Sequence, residues 1–498
     1  MHREIELCLA LDPRNLKRFL AWPVLAQPAP ASEGGPPAPR QGAGRQLRAV
    51  YFDTNEGHLA ERRMALRLRR ATGRWEQTFK RQRPGLVREE WTHRIAAVPG
   101  APGSATAVPA LDPLGFPPRE HPSGKWLQDR LADLAAVFET RVQRRSWRIE
   151  PEPGALVEVV LDRGKLVAGA REETLCEVEI ELLEGPERAV WQAALALLDW
   201  VPCRVQPRSK GERGYRLAGH AAPVASGRPR LAARPDSLGA LIRAGMEWVS
   251  RELASHAAVL IEGDDPEGPH QVRVQLRRLR ALLRLATSEL TAPAWQRVRQ
   301  EARWLAREVA ELRDLDVLRL ETVEPIRRCL PEDAALSELV RCTEAARALA
   351  RVRARRAIAS VRAQRLLLEI GALAHAAIPA ADALPVRPTV TERLTTLEAK
   401  VDKRARKAST DEARHALRLA YKNLRYMAEW ARAADADGKR VKRTIAHATR
   451  AQLRLGQSQD AVVALERSRQ LLAEVDAGLR ERALGLLQGW LLAQLEND

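Results

Sequence analysis

The chain has 498 residues, 45% of them hydrophobic and 29% charged, which excludes a disordered polymer and leaves room for two or three domains with their own cores. No apolar run reaches the roughly eighteen residues of a membrane-spanning helix, and the opening MHREIELCLAL, broken by Glu4 and Glu6, excludes a secretory signal. Five cysteines, odd in number and never in CxxC spacing, exclude a disulfide framework and a zinc site and fit a reducing cytoplasm, while a net charge of +18 favours polyanionic partners.

Residues 1–220 read as β-rich. Short alternating runs recur in EIELCLAL, ALRLRR, WEQTFK, VREEWTHRI, ALVEVVLD and CEVEIEL, and the Pro-, Gly- and Ala-rich segments 27–44 and 99–124 read as long exposed loops. The period of two places Glu4, Glu6 and Cys8 on one face of the first run and Ile5, Leu7 and Leu9 on the other. It groups Glu177, Glu179 and Glu181 in the same way, as it does Arg67 with Arg69, Thr78 with Lys80, Arg88 with Glu90, and Glu158 with Asp162. Charged residues facing water on a half-buried sheet are the ordinary outcome of such alternation. Helices outside the sheet and charges inside it would satisfy the same pattern and also cover Leu7, Leu66, Leu68, Val178 and Ile180. Carboxylates gathered with Arg and Lys suit a metal-bridged phosphate, because carboxylates hold Mg2+ or Mn2+ while the cations neutralise phosphate oxygens.

The opening ExE, LRLRR, TFK, TRVQRRSW, LDRG, EVEIELLEG and SKGERGY together resemble the CYTH family. These are triphosphate tunnel proteins that include class IV adenylate cyclases, thiamine triphosphatases and inorganic triphosphatases. The resemblance implies a closed eight-stranded antiparallel β-tunnel with flanking helices that binds a triphosphate with Mg2+ or Mn2+. It makes Glu4, Glu6, Asp162, Glu177 and Glu179 the metal-side carboxylates, and Arg67, Arg69, Lys80, Arg144 and Lys210 the phosphate-binding cations. Cys8 stands where the family's ExExK has Lys. A neutral thiol is no fixed cation and favours metals softer than Mg2+. No His accompanies Cys8 in a matching motif, so it reads as a packed thiol and not as a nucleophile. Two outcomes follow, a metal-dependent inorganic triphosphatase or a tunnel that only binds.

The stretch AAPVASGRPRLAARPD (221–236) reads as a linker. Residues 237–498 are dense in Leu, Ala, Arg and Glu at helical spacing and read as all-α, interrupted near 263–269, 291–293 and 378–390. One signature occurs there twice. His270, Arg273, Arg277 and Arg280 align in register with His415, Arg418, Lys422 and Arg425. At ~100° per residue each set falls within an arc of roughly 80° on one helix face. The apolar positions match as well, with Val272, Leu276, Leu279 and Leu283 answering Leu417, Tyr421, Leu424 and Ala428, so each helix has a core face and a cationic face. A second element also recurs, LRDLDVL (312–318) and LGQSQDAVV (455–463), pairing Asp316 with Asp460. Two related helical units, about 237–385 and 386–498, would bring the two stripes onto one basic surface.

The HxxR helix, the RDxDV segment and the HxxRxxxKxLRY helix resemble the CHAD domain, the conserved histidine α-helical domain. That resemblance implies two pseudo-symmetric four-helix bundles binding inorganic polyphosphate along a basic pore, with the eight stripe residues as ligands and Arg313 and the aspartates as braces. The whole reads as an α+β multidomain protein of the cytoplasm, or of polyphosphate granules, with polyphosphate and triphosphate as partners. A non-catalytic granule-associated binding protein is the alternative. General nucleic-acid binding is disfavoured, because no zinc-finger, RNP-like or leucine-zipper pattern occurs and aromatics are only 4%, which offers little for base stacking.

Overall fold

The computed structural model describes residues 2–27, 42–71, 74–82, 87–95, 108–220, 227–436 and 438–496. Residues 28–41 of the first predicted loop, 99–107 of the second and 221–226 of the predicted linker lie outside them, as do the side chains of Glu4, Arg88 and Asp460. The rest of the second predicted loop instead includes a 3-10 turn, Pro113–Gly115, and the start of the helix Pro122–Asp129. The chain divides into two compact units, Met1–Ala225 with Leu367–His375, and Ser226–Leu366 with Ala376–Asp498.

The first unit is built on one antiparallel sheet. Its strands are β1 (His2–Leu11), β2 (Arg45–Asp53), β3 (Met64–Ala71), β4 (Arg74–Gln82), β5 (Val87–Arg94), β6 (Ala135–Glu152), β7 (Ala155–Ala168), β8 (Arg171–Glu184) and β9 (Cys203–Val205). Their order is β5-β4-β3-β2-β6-β7-β8-β1-β9. β1 divides its pairing three ways: His2–Ile5 run beside β5, residues 6–10 beside β8, and residues 9–11 beside β9. The sheet thus has nine strands where eight were expected. Cys203–Val205 is too short to show a period of two, so it could not be read as a strand.

Alternation decides what each face meets. Leu7, Leu9, Val157, Val159, Leu161, Val178 and Ile180 are buried on one face, with Phe19 and the Ala189, Val190, Ala193, Leu197 side of the helix Arg188–Trp200. Val50, Phe52, Leu66, Leu68 and Phe79 form a second apolar cluster with Leu59, Phe116 and Leu127. The neighbours of these residues in sequence, among them Glu6, Arg67, Arg69, Glu177 and Glu179, turn to the opposite face, which carries the charge.

The second unit is mostly helical. Leu238–Glu262 packs on Glu267–Leu285, which packs in turn on Asp411–Ala433, and that helix is flanked by Val386–Ala405 and Gly438–Leu471. The predicted core positions Val272, Leu276, Leu279, Leu283, Leu417, Tyr421, Leu424 and Ala428 are all buried. A separate cluster of Leu318, Val323, Ile326, Leu336, Leu339, Leu472 and Leu487 joins Ala334–Ala359 to Ala477–Glu496.

Candidate functional site

On the charged face of the sheet, register brings carboxylates from neighbouring strands together. Cys8 of β1 lies opposite Glu179, Asp162 of β7 opposite Glu177, and Arg144 of β6 opposite Asp162. The helix Lys210–Leu217 then adds two cations one turn apart. Its first turn is fixed by a capping box, in which the Ser209 hydroxyl accepts from the Glu212 N–H and the Glu212 carboxylate accepts from the Ser209 N–H. Gly214 lets this helix press against β6, where a Cβ would sit inside the Phe138 ring.

The Lys210 ammonium donates to Asp162 Oδ2 at 2.8 Å and to Glu177 Oε1 and Glu179 Oε1 at 2.5 Å. Arg144 donates from Nε and Nη2 to Asp162, at 2.8 and 2.6 Å, and from Nη2 to Glu179 at 2.7 Å. Arg213 donates to Glu177 at 2.5 Å and to Glu173 at 2.6 Å. Burial opposes the charge on Lys210 and Arg144, yet the surrounding carboxylates outweigh it and raise both above their ordinary ranges. Cys8 moves the other way in charge. Burial first, then Glu177 and Glu179, raise its thiol well above the usual range and keep it neutral.

A second group lies on β3, β4 and β5. Lys80 pairs with Glu90 at 3.0 Å, Arg69 with Glu76 at 3.3 Å, and Arg67 donates to the Tyr51 hydroxyl at 3.4 Å. Burial alone would raise the Glu90 carboxyl, but Lys80 and Arg67 hold it down to about 2. Arg69 is lowered by Arg67, by burial and by Arg144, so three guanidinium groups share one region. Such a cluster favours an anion with several oxygens.

In the helical unit, His270, Arg273, Arg277, Arg418 and Lys422, drawn from both copies of the repeat, line one cavity of about 960 Å³. Nη1 of Arg273 is buried there without a hydrogen-bond partner. Burial, then Arg313 and Arg277, lower His270 and favour its neutral form. A π-helical turn, Leu318–Val323, contributes Leu318, Glu321 and Thr322 to the wall. The two basic helices are tied by a buried ion pair, Arg278 Nε to Glu429 at 2.9 Å, and by the Trp430 indole donating to the Arg278 carbonyl at 2.9 Å.

The CYTH domain description matches residues 40–215, and the CHAD domain description matches residues 247–469. The chain carries a CYTH domain followed by a CHAD domain. An inorganic triphosphatase of Haemophilus influenzae is 23% identical over 222 residues, 44% of this chain and 55% of the relative, so the chain spans about half the length of that curated relative. Among solved structures, the CHAD domain of the plant Ricinus communis is 28% identical, covering 54% of this chain and 91% of its own, with a TM-score of 0.47. PptA from Streptomyces chartreusis is 19% identical, covering 53% and 96%, with a TM-score of 0.42.

Within the CYTH domain, the predicted residues fall into the two groups above. Asp162, Glu177, Glu179, Arg144 and Lys210 form one network, and Arg67, Arg69 and Lys80 the other, while Glu6 is buried opposite Glu181. Lys210 and Arg144 meet carboxylates instead of standing apart from them. Arg213 and Glu173 were not anticipated, although the one-turn spacing of Lys210 and Arg213 could have flagged Arg213, and Glu90, grouped with Arg88 by alternation, was given no partner. In the CHAD domain, Arg280 lines a neighbouring cavity and His415 is exposed. Arg425 donates to the Tyr426 hydroxyl at 3.0 Å and lies over that ring. Arg313 pairs with Glu321 at 2.9 Å, and the buried Asp316 accepts from Arg347 at 2.7 Å.

Among the described residues, one group of donors in the CYTH domain could hold a divalent ion. The sulfur of Cys8 and one oxygen each from Glu177 and Glu179 lie within 4.8 Å of one another. Two of these donors are hard oxygens, although three cations already pair with those carboxylates: Lys210 with both, Arg213 with Glu177 and Arg144 with Glu179.

Proposed function

We propose that the CHAD domain binds inorganic polyphosphate and that the CYTH domain binds inorganic triphosphate and hydrolyses it with a divalent metal ion. The convergence of both basic stripes on one cavity, with a buried donor of Arg273 aimed at no partner, carries the first half. An anion whose oxygens repeat at short intervals satisfies several guanidinium and ammonium groups at once. The side-by-side packing of the two basic helices around Arg278 and Glu429 supports a pseudo-symmetric pair of helical bundles.

For the CYTH domain, the pairing of β1 with both β8 and β5 supports a closed tunnel whose inner wall is the charged face. The triphosphatase name of the Haemophilus relative supports the substrate. Glu177 and Glu179, with Glu6 and Asp162 beside them, would hold Mg2+ or Mn2+, which would supply Lewis-acid polarisation of a phosphoryl oxygen. Arg67, Arg69 and Lys80 orient the triphosphate and neutralise charge developing on its oxygens. Arg144 holds Asp162 and Glu179 in place, and Lys210 keeps the carboxylates from repelling one another until the substrate arrives.

A second reading, a tunnel that binds without turnover, is favoured by the neutral Cys8 thiol and by the saturation of Lys210 with carboxylates. Phosphate release from triphosphate by the purified chain with Mg2+ or Mn2+ separates the two. Turnover supports the hydrolase. No turnover in the wild type together with recovery in Cys8→Lys establishes the binding-only reading. For the CHAD domain, long-chain polyphosphate should displace duplex DNA at equal charge concentration and fixed salt, and equal potency would sink the specific claim.

A further inference from the structure

The helix Pro293–Glu308 was not among the predicted binding elements. Its Arg299, Arg303 and Arg307 stand at successive i, i+4 positions, within an arc of roughly 80° on one face. Arg303 and Arg307 join Arg273, Arg277 and Arg280 around a second cavity of about 590 Å³, whose wall also includes Leu419. Arg273 and Arg277 line the first cavity too, so the two chambers share a cationic wall.

The two arginine stripes run antiparallel. Arg284 lies in the field of Arg303 and Arg299, and Arg280 in that of Arg284, Arg303 and Arg277. Arg307 reaches the other end, beside Arg273 and Arg277. Among the described residues none of Arg280, Arg284, Arg303 and Arg307 forms an ion pair, and Arg299 donates only to the Leu283 carbonyl, at 2.8 Å. Burial and the neighbouring arginines lower Arg280, Arg284 and Arg299 below their ordinary range. Facing stripes of one sign repel at every contact, and a continuous polyanion between them removes that repulsion. Scattered surface arginines would instead have been interleaved with carboxylates.

We infer that this second chamber holds the continuation of a polyphosphate chain whose first segment lies in the His270–Arg418–Lys422 cavity, so that the CHAD domain selects long chains over short ones. The inference rests on the polyphosphate reading above and extends it. Beyond Arg277, which also lines the first cavity, the helix adds ~10 Å of cationic track as far as Arg284, beyond the reach of an anion held only by the first cavity.

The test uses the full chain carrying Arg69→Ala and Lys80→Ala, which weakens the competing site in the CYTH domain. Calorimetric titrations with polyphosphates of defined length compare this parent with a version that also carries Arg303→Ala and Arg307→Ala. Both arginines are exposed, and circular dichroism verifies that the helices persist. Long chains should lose about tenfold or more in affinity, and the slope of log K against log salt should fall by about two. The shortest chains should change less than twofold, and Arg303→Lys with Arg307→Lys should restore most of the long-chain affinity. Unchanged long-chain binding, or an equal loss at every length, overturns the second chamber while leaving the polyphosphate reading intact. A parent that binds no polyphosphate of any length overturns both.

Discussion

In the CYTH domain Arg144 and Lys210 stand within hydrogen-bonding distance of Asp162, Glu177 and Glu179, whereas in the CHAD domain Arg277 and Arg280 form no ion pair among the described residues. The first arrangement is balanced by the chain itself, so an incoming phosphate competes with internal partners and geometry sets selectivity. The second holds surplus charge, so a polyanion associating there would be driven by release of its counterions and would weaken steeply with salt. A net charge of +18 is thus distributed by function, and the bulk value reveals nothing of that division.

The sharpest way to break the contrast is to remove the surplus. Arg273→Ala, Arg277→Ala, Arg418→Ala and Lys422→Ala combined should weaken polyphosphate binding roughly a thousandfold, as read by titration, with the helical circular dichroism signal retained. In the balanced site the equivalent change should act on the fold. Lys210→Ala removes the one cation shared by Asp162, Glu177 and Glu179, leaves Arg144 and Arg213 alone to offset them, and should cost about 3–5 kcal/mol in denaturant unfolding. Millimolar Mg2+ or Mn2+ should restore more stability to this variant than it adds to the wild type, and no such difference would argue against a metal among these carboxylates.

A smaller effect separates the CHAD core from its cavity. His256 is fully buried with neither ring nitrogen hydrogen-bonded, and burial lowers it to about 4, against a weaker opposing pull from Glu267. Because the folded value lies below the unfolded one of roughly 6.5, its contribution is complete above pH ~6.5 and is lost as pH falls towards 4. The loss is about 3 kcal/mol at most, and His256→Leu should flatten that part of the stability profile. The least effect is expected at His415, which is exposed and outside the cavity lining, so His415→Ala should change polyphosphate affinity less than twofold.

Much of this was legible because helical and strand periods assign faces. The duplicated helix announced its core and cationic sides, and eight of eight predicted core positions are buried, since a 3.6-residue repeat needs no partner to be read. Partnerships across the chain were not legible. Arg278 sits in the same basic run as Arg277, yet it turns inward to Glu429, a contact between residues 151 apart in sequence. The Arg299, Arg303, Arg307 stripe carries no repeat to single it out, although the helical period already puts Glu301 and Glu308 on the opposite face; what the sequence does not show is that this stripe faces Arg280 and Arg284. On the sheet, alternation grouped Glu177 with Glu179, but only strand register brings Asp162 and Arg144 to them, and only the docked helix brings Lys210.

Gly214 gives the CYTH chemistry a mechanical adjustment. The depth at which the Lys210–Leu217 helix seats depends on the missing methyl opposite Phe138, so any side chain at position 214 would draw the ammonium away from its three carboxylates. Substitutions at an uncharged position could therefore retune the local electrostatic potential like a set-screw, leaving every ionisable residue in place.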